Sequence, residues 1–207
     1  MRNLRVEIPR KLFHIAATLL LLIPLFIFGK WGVAGVSAVM LVVLFPVAYL
    51  GLKNRWTAPF WYAIQKLERE ENLKVLPGKQ AFALAGGMFL ASIFFSEEVL
   101  LVCIITTAVY DGFATILGLL LGRHRLPTGK SIEGTLGGIL FNTVFLLPFM
   151  ELKWAVFVSA MAGVIENLSS WKRWYLDDNF LLPVILGFIL TLLDVPAQLP
   201  EFFKPFG

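Results

Sequence analysis

The sequence predicts an all-α integral membrane protein, a bundle of about seven transmembrane helices forming a single domain over residues 1–207, with its polar residues gathered on the cytoplasmic side. Three observations point that way. Hydrophobic residues make up 58% of the chain, charged residues only 15%, and the mean hydropathy is +0.78; soluble domains carry roughly 25% charge. Several apolar runs reach or approach the length of about 20 residues that a hydrocarbon core about 30 Å thick requires. Finally, the basic residues fall almost entirely into alternate connections, the pattern that orients membrane proteins.

The runs lie at residues 12–29, 31–52, 80–95, 98–121, 134–150, 153–168 and 180–194. The first begins near the N-terminus and has no small-residue cleavage site before the next, so it reads as a retained helix and not a signal peptide. The runs 80–95 and 180–194 are short, fitting tilted or re-entrant partners. With the N-terminus inside, 18 basic residues divide so that only Lys30, Lys153 and Lys204 fall outside. This places basic charge as a topology signal, with the lipid bilayer and not a nucleic acid as the expected partner. Between the second and third spans, Asn54 to Lys74 sets Trp56, Phe60, Trp61, Ile64 and Leu67 at roughly helical spacing ahead of the charged run Glu68 to Glu71, as an interfacial amphipathic helix does. Cys103 is the only cysteine, which excludes a disulfide framework or a cysteine metal site within one chain.

Four polar constellations stand against this apolar background. In the first, Glu7, Arg10, Lys11 and His14 are spaced to stack on one helix face. Pro9 suits a first helical turn, which puts Glu7 just outside the helix. Arg10, Lys11 and His14 can hold phosphate oxygens; snorkelling explains Arg10 and Lys11 as topology anchors, but His14 lies too far into the apolar run for that. The second is Asp111, midway along the fourth span, where an ionisable residue costs roughly 2.5 to 3.5 kcal/mol and by default marks a site. Its alternative is a structural pair with a basic residue of another helix.

The third constellation is the loop from Gly122 to Gly134, with Arg123, Gly129, Lys130, Ser131 and Glu133. Glycines let backbone amides approach an anion, the basic side chains supply charge, and the helix after the loop offers its positive end. Six residues separate Gly122 from Gly129, so this is not a Walker A loop, which has four. An unliganded flexible loop is the plain alternative. The fourth comprises Glu166-Asn167 and Asp177-Asp178-Asn179, with Lys172 and Arg173 between them and Pro183 beyond. Hard carboxylate oxygens suit Mg²⁺, which takes one or two protein carboxylates alongside nucleotide phosphates; a solvated acidic loop is the other reading. Together the four supply phosphate ligands, metal ligands and an intramembrane carboxylate, which is what phosphoryl transfer needs.

These residues, with Ala114 and Gly118 between the second and third sets, resemble the motifs of the CTP-dependent polyprenol kinase family, which includes dolichol kinase, phytol kinase and a related diacylglycerol kinase. The motifs run through the chain in the family's order. The resemblance implies transfer of the γ-phosphate of CTP, with a divalent cation such as Mg²⁺, to the hydroxyl of a polyprenol, dolichol, phytol or geranylgeraniol-type lipid alcohol. It carries functional positions onto Arg10, Lys11, Asp111, Gly118, Lys130 and Ser131, and its late acidic motif onto Asp177 and Asp178. The chain lacks the many additional N-terminal spans typical of eukaryotic dolichol kinases, which counts against a dolichol-length substrate and leaves shorter isoprenoid alcohols open.

The expected division of labour is Asp111 and Lys130 as catalytic groups, with Asp111 serving as base or metal ligand. Arg10, Lys11, His14, Gly118, Gly122, Arg123, Gly129, Ser131, Glu133 and Gly134 are expected around the nucleotide, and Asp177, Asp178 and Glu166 around the metal. Two other classes compete. A CTP-using cytidylyltransferase making a CDP-lipid needs similar groups but releases pyrophosphate, and a transporter can use Asp111 as an ion relay. A straight helix places Asp111 roughly 16 Å below Gly122 at about 1.5 Å per residue. The fourth span is therefore expected either to bend near Asp111-Gly112 or to border a wet funnel.

Overall fold

The computed structural model describes residues 4–67, 76–169 and 177–200, and among these the regular structure is entirely helical. In chain order the helices are α1 (Leu4–Leu19), α2 (Leu22–Val39), a π-helical turn (Met40–Leu44), α3 (Phe45–Tyr49), α4 (Ala58–Leu67), α5 (Lys79–Phe94), α6 (Glu97–Leu120), α7 (Ile132–Leu146), α8 (Leu152–Leu168) and α9 (Asp178–Leu192). The acidic run Glu68 to Glu71, together with Lys172 and Arg173, lies outside the described residues; α4 covers the aromatic part of the expected interfacial helix.

Helix α6 is the axis of the bundle. Every residue from Val99 to Gly112 is buried, and α1, α2, α5, α7, α8 and α9 all pack on it. Its start is explained by local chemistry: the Ser96 hydroxyl accepts from the Val99 amide, and Glu97 and Glu98 lie in the first turn, where the helix dipole favours negative charge. The helix is continuous through Asp111-Gly112, so the expected bend is absent. Gly112 serves a different purpose, since a Cβ there would lie 2.3 Å from Ile15 Cγ1. The glycine lets α1 settle against α6.

The most extensive helix contact among the described residues joins α6 to α7. Ala114 and Gly118 on α6, with Gly122 just past its end, recur every fourth residue along one edge, and Gly134 and Gly138 do the same on α7. A Cβ on Gly134 would come within 2.5 Å of the Ala114 carbonyl oxygen and 2.9 Å of Gly118 Cα, so only glycine lets the two backbones meet. Small residues four apart are the usual device for such contact where no solvent-driven collapse holds helices together.

The first two apolar runs differ in detail from the expectation. The α-helix gives way to a turn at Leu20-Leu21, and the chain leaves helical geometry at Gly29, whose φ of 63° lies where glycine carries no Cβ penalty. Glu97 then accepts from the Lys30 amide at 3.0 Å, satisfying a donor freed by the break. At the other end of α1, Glu7 lies inside the helix and not ahead of it. Pro9 is its sixth residue and forfeits only one bond, to a carbonyl near the helix start.

Among the described residues, two segments, Leu22–Tyr49 and Glu97–Leu120, are long and apolar enough to cross a membrane. Helices α5, α7 and α9 are apolar but shorter, at 16, 15 and 15 residues. Large apolar side chains face outward on several helices: Ile23, Ile27, Trp31, Val39 and Val42 along Leu22–Tyr49, Leu136, Leu140 and Val144 on α7, and Phe188 and Leu192 on α9. The chain directions also bring the polar motifs together. Helices α1, α5, α7 and α9 start at the same end of the bundle at which α6 and α8 finish, and there the site forms.

Candidate active site

A cavity of about 280 Å³ opens at that end, lined by Lys11, Asp111, Gly118, Gly129, Lys130, Ser131, Glu166, Asp177 and Asp178 among the residues expected from sequence. Gln80, Thr115, Arg125, Thr128, Thr135 and Ser169 complete most of the wall, with Ala114 and Leu119 as its apolar members. The funnel alternative is therefore the one realised. An unbroken α6 carries Asp111 into the bundle, and its neighbours part to leave polar space above it.

Three carboxylates meet in the cavity. Oxygens of Asp111 on α6, Glu166 near the end of α8 and Asp178 in the first turn of α9 all lie within 4.8 Å of one another. Each has a lysine. Lys11 Nζ donates to Asp111 Oδ1 at 2.7 Å and to Oδ2 at 2.6 Å, while Lys130 Nζ lies 2.8 Å from Glu166 Oε1 and 3.6 Å from Asp178 Oδ2. Buried carboxylates need such partners because the desolvation of an unpaired charge is prohibitive. Tyr110 donates its hydroxyl to Glu166 Oε2 at 3.0 Å and thereby orients this carboxylate.

Lys130 is delivered by a short hairpin and not by a loose loop. The Gly129 amide bonds to the Leu126 carbonyl, closing a turn with Pro127 at its first corner and Gly129 at φ 82°. Leu126 and Lys130 then pair through the backbone at 2.7 Å, and Arg125 bridges Ser131 in antiparallel fashion. At the tip, Thr128 Oγ1 donates to Asn167 Oδ1 at 2.9 Å, fastening the hairpin to the end of α8. Lys130 Nζ also reaches the Glu166 carbonyl at 2.8 Å, placing a cation where the α8 dipole is negative.

Several expected ligands have other work. Arg10 pairs with Glu7 and donates to Gln80 at 2.6 Å, so it supports the wall without lining the cavity. His14 Nε2 lies 3.2 Å from Asp111 Oδ2, off hydrogen-bond geometry, on the α1 side of that carboxylate. Gly122 and Gly134 serve the α6–α7 contact: Cβ atoms there would meet Ser131 Oγ at 2.8 and 2.9 Å. Ser131 lines the cavity but spends its hydroxyl capping α7 through the Gly134 amide.

Arg123 is exposed and outside the cavity, and Arg125 takes the place expected of it. Glu133 turns back to accept from the Arg123 and His124 amides at 3.1 Å and to pair with His124 Nδ1 at 2.6 Å. Its own amide and that imidazole hold its pKa down at about 2. Asp177 caps α9 by accepting from the Asn179 amide and side chain, and its carboxylate is not one of the three that converge. Burial and the neighbouring Asp178 push Asp177 up to about 7.

The donor set fits a hard divalent cation: three carboxylates from three helices, with a lysine ammonium already standing in as the local positive charge. Thr115 lies four residues after Asp111, and helical spacing alone placed it on that face. No comparable signal marks Gln80 or Tyr110, which reach the site only because α5 and α8 pack where they do.

No protein-family model matches the chain, and no solved structure matches it. Among curated proteins it is similar to an uncharacterized protein of Methanocaldococcus jannaschii, 28% identical over 187 residues. That likeness covers 89% of this chain and 93% of the other.

Proposed function

We propose that the chain is a CTP-dependent lipid-alcohol kinase embedded in a membrane by a multi-pass bundle, with its N-terminus and cavity on the cytoplasmic side. The observation that carries the reading is the convergence of Asp111, Glu166 and Asp178 with Lys11 and Lys130 in one polar cavity, at the end of a bundle whose flanks are apolar. The choice of CTP and of an isoprenoid-type alcohol rests on the resemblance of the motifs. The membrane setting is supported by the two long apolar segments and by the outward-facing side chains of α2, α7 and α9. The shorter helices then span with local thinning of the bilayer.

In this reading Lys130 and Arg125 neutralise the oxygens of the transferred phosphoryl group, while Thr128 and Ser131 bound the space beside it. Asp111, Glu166 and Asp178 would hold Mg²⁺, which would cancel phosphate charge. Lys11 fixes Asp111 by donating to both of its oxygens. The lipid hydroxyl oxygen attacks the γ-phosphorus, the bond to the bridging β–γ oxygen breaks and CDP leaves. Asp111 either takes the hydroxyl proton or joins the ligands of the cation, and in the latter case the proton leaves on the product phosphate.

The test uses purified protein with labelled CTP and a panel of phytol, geranylgeraniol, polyprenol and diacylglycerol. A labelled lipid phosphate together with CDP is the expected result. Pyrophosphate and a CDP-lipid would replace this reading with a cytidylyltransferase, and absence of nucleotide binding would favour a transporter. Orientation is tested by a cysteine placed at Thr128 in protein whose buried Cys103 is left in place. Its modification from outside intact cells by an impermeant reagent would overturn the topology.

A further inference from the structure

The two lysines of the cavity are not equivalent. Lys11 is rooted in the middle of α1, almost fully buried, with both oxygens of Asp111 on its ammonium. Lys130 comes from the hairpin base, its side chain 16% exposed, and its ammonium occupies the space between Glu166 and Asp178. The hairpin is fastened independently by Thr128 to Asn167, so the Lys130 side chain can swing without the loop opening.

Charge balance limits how a cation can enter. Three carboxylates and two ammonium groups leave the cluster one negative charge in excess. A divalent cation added with Lys130 in place reverses that excess and sets two cations against each other at short range. If Lys130 withdraws, the same cation brings the cluster to neutrality. The withdrawn ammonium then stands in the cavity, where phosphate oxygens are its natural partner.

We propose, resting on the kinase reading, that Lys130 is a resident counter-ion that guards Glu166 and Asp178 against free divalent cation. The site is thereby loaded with the cation and a nucleoside triphosphate together, as a chelate. The phosphate tail draws Lys130 off the carboxylates as the cation takes its place, so each component binds weakly alone and tightly with the other. Such reciprocity is a coupling free energy between two ligands of one site.

The experiment measures Mn²⁺ affinity by electron paramagnetic resonance on detergent-solubilised protein, with no turnover involved, for the wild type, Lys130→Ala and Lys130→Met. Without nucleotide, both variants should bind Mn²⁺ at least about tenfold more tightly than the wild type, the scale of one short-range charge interaction. CTP should strengthen Mn²⁺ binding strongly in the wild type and much less in either variant. Equal or weaker Mn²⁺ affinity in folded Lys130→Met, the variant that keeps the length of the side chain, would overturn the proposal. The outcome is separable from the kinase reading. Failure of lipid phosphorylation leaves the nucleotide-free comparison intact, whereas an unchanged Mn²⁺ affinity leaves phosphorylation standing and removes only the guard.

Discussion

The Lys11–Asp111 pair and the Lys130–Glu166–Asp178 group lie in one cavity and use the same chemistry, yet they are built differently. The first joins two helices that pack along their length, with side chains 6% and 2% exposed. The second joins a hairpin to the ends of two helices, and its lysine keeps a side open to the cavity. The contrast is between a pair locked along packed helices and a group whose lysine has room to move. An ion pair deep between helices cannot change partners without unpacking them, whereas one hung from a hairpin can.

Breaking the inner pair should have the largest effect. Lys11→Met leaves Asp111 buried without its cation, which destabilises by about 3–5 kcal/mol when one partner of a buried pair is lost. Unfolding in detergent should show this, and the double variant Lys11→Met/Asp111→Asn should recover much of the loss. If Lys11→Met unfolds like the wild type, the two pairs do not differ as described.

Lys130→Ala should lower the unfolding midpoint by less than Lys11→Met does and lower turnover at saturating CTP by about a hundredfold or more, the usual loss for a donor aimed at developing charge. Near-normal turnover would remove Lys130 from the chemistry. The neighbouring aspartates sharpen the comparison further. Asp178→Asn should shift the Mg²⁺ dependence of activity. Asp177→Ala should instead cost about 1 kcal/mol of stability through the lost cap and leave the metal titration in place. Identical metal titrations for the two variants would contradict the division between them.

The smallest effect expected is on the hairpin, and it depends on pH. Glu133 is held below its ordinary 4.5, at about 2, so its contribution is present above pH 4.5 and is lost as the pH falls through 2. Hydrogen exchange at the Arg123 and His124 amides should lose protection across that window. In Glu133→Gln the pH dependence should disappear, and persistence of it would assign the protection to another group.

Most of the helices were legible in the sequence because apolar periodicity and length are local properties. Ser96, Ser131 and Asp177 mark helix starts with side chains that cap them. The break at Gly29 was visible as an interruption between apolar runs, although that at Leu20-Leu21 was not, since no polar or glycine signal accompanies it. The motif residues announced a polar site through their cost. Asp111 in an apolar run demands a partner wherever it lies.

What the sequence by itself determined is thus the helical class, the apolar exterior and the list of groups too expensive to bury alone. The partnering of those groups belonged to the tertiary structure. Spacing cannot say that Lys11 would reach across to Asp111, one hundred positions away, that Asp177 would cap while Asp178 faced the cavity, or that Gly134 would serve packing and not phosphate. The reason is physical. Periodicity assigns a side chain to a face of its own helix, but pairing energy depends on distance between helices. That distance was settled by small-residue contacts such as Ala114 and Gly118 against Gly134, where a single Cβ would have moved α7 away from α6.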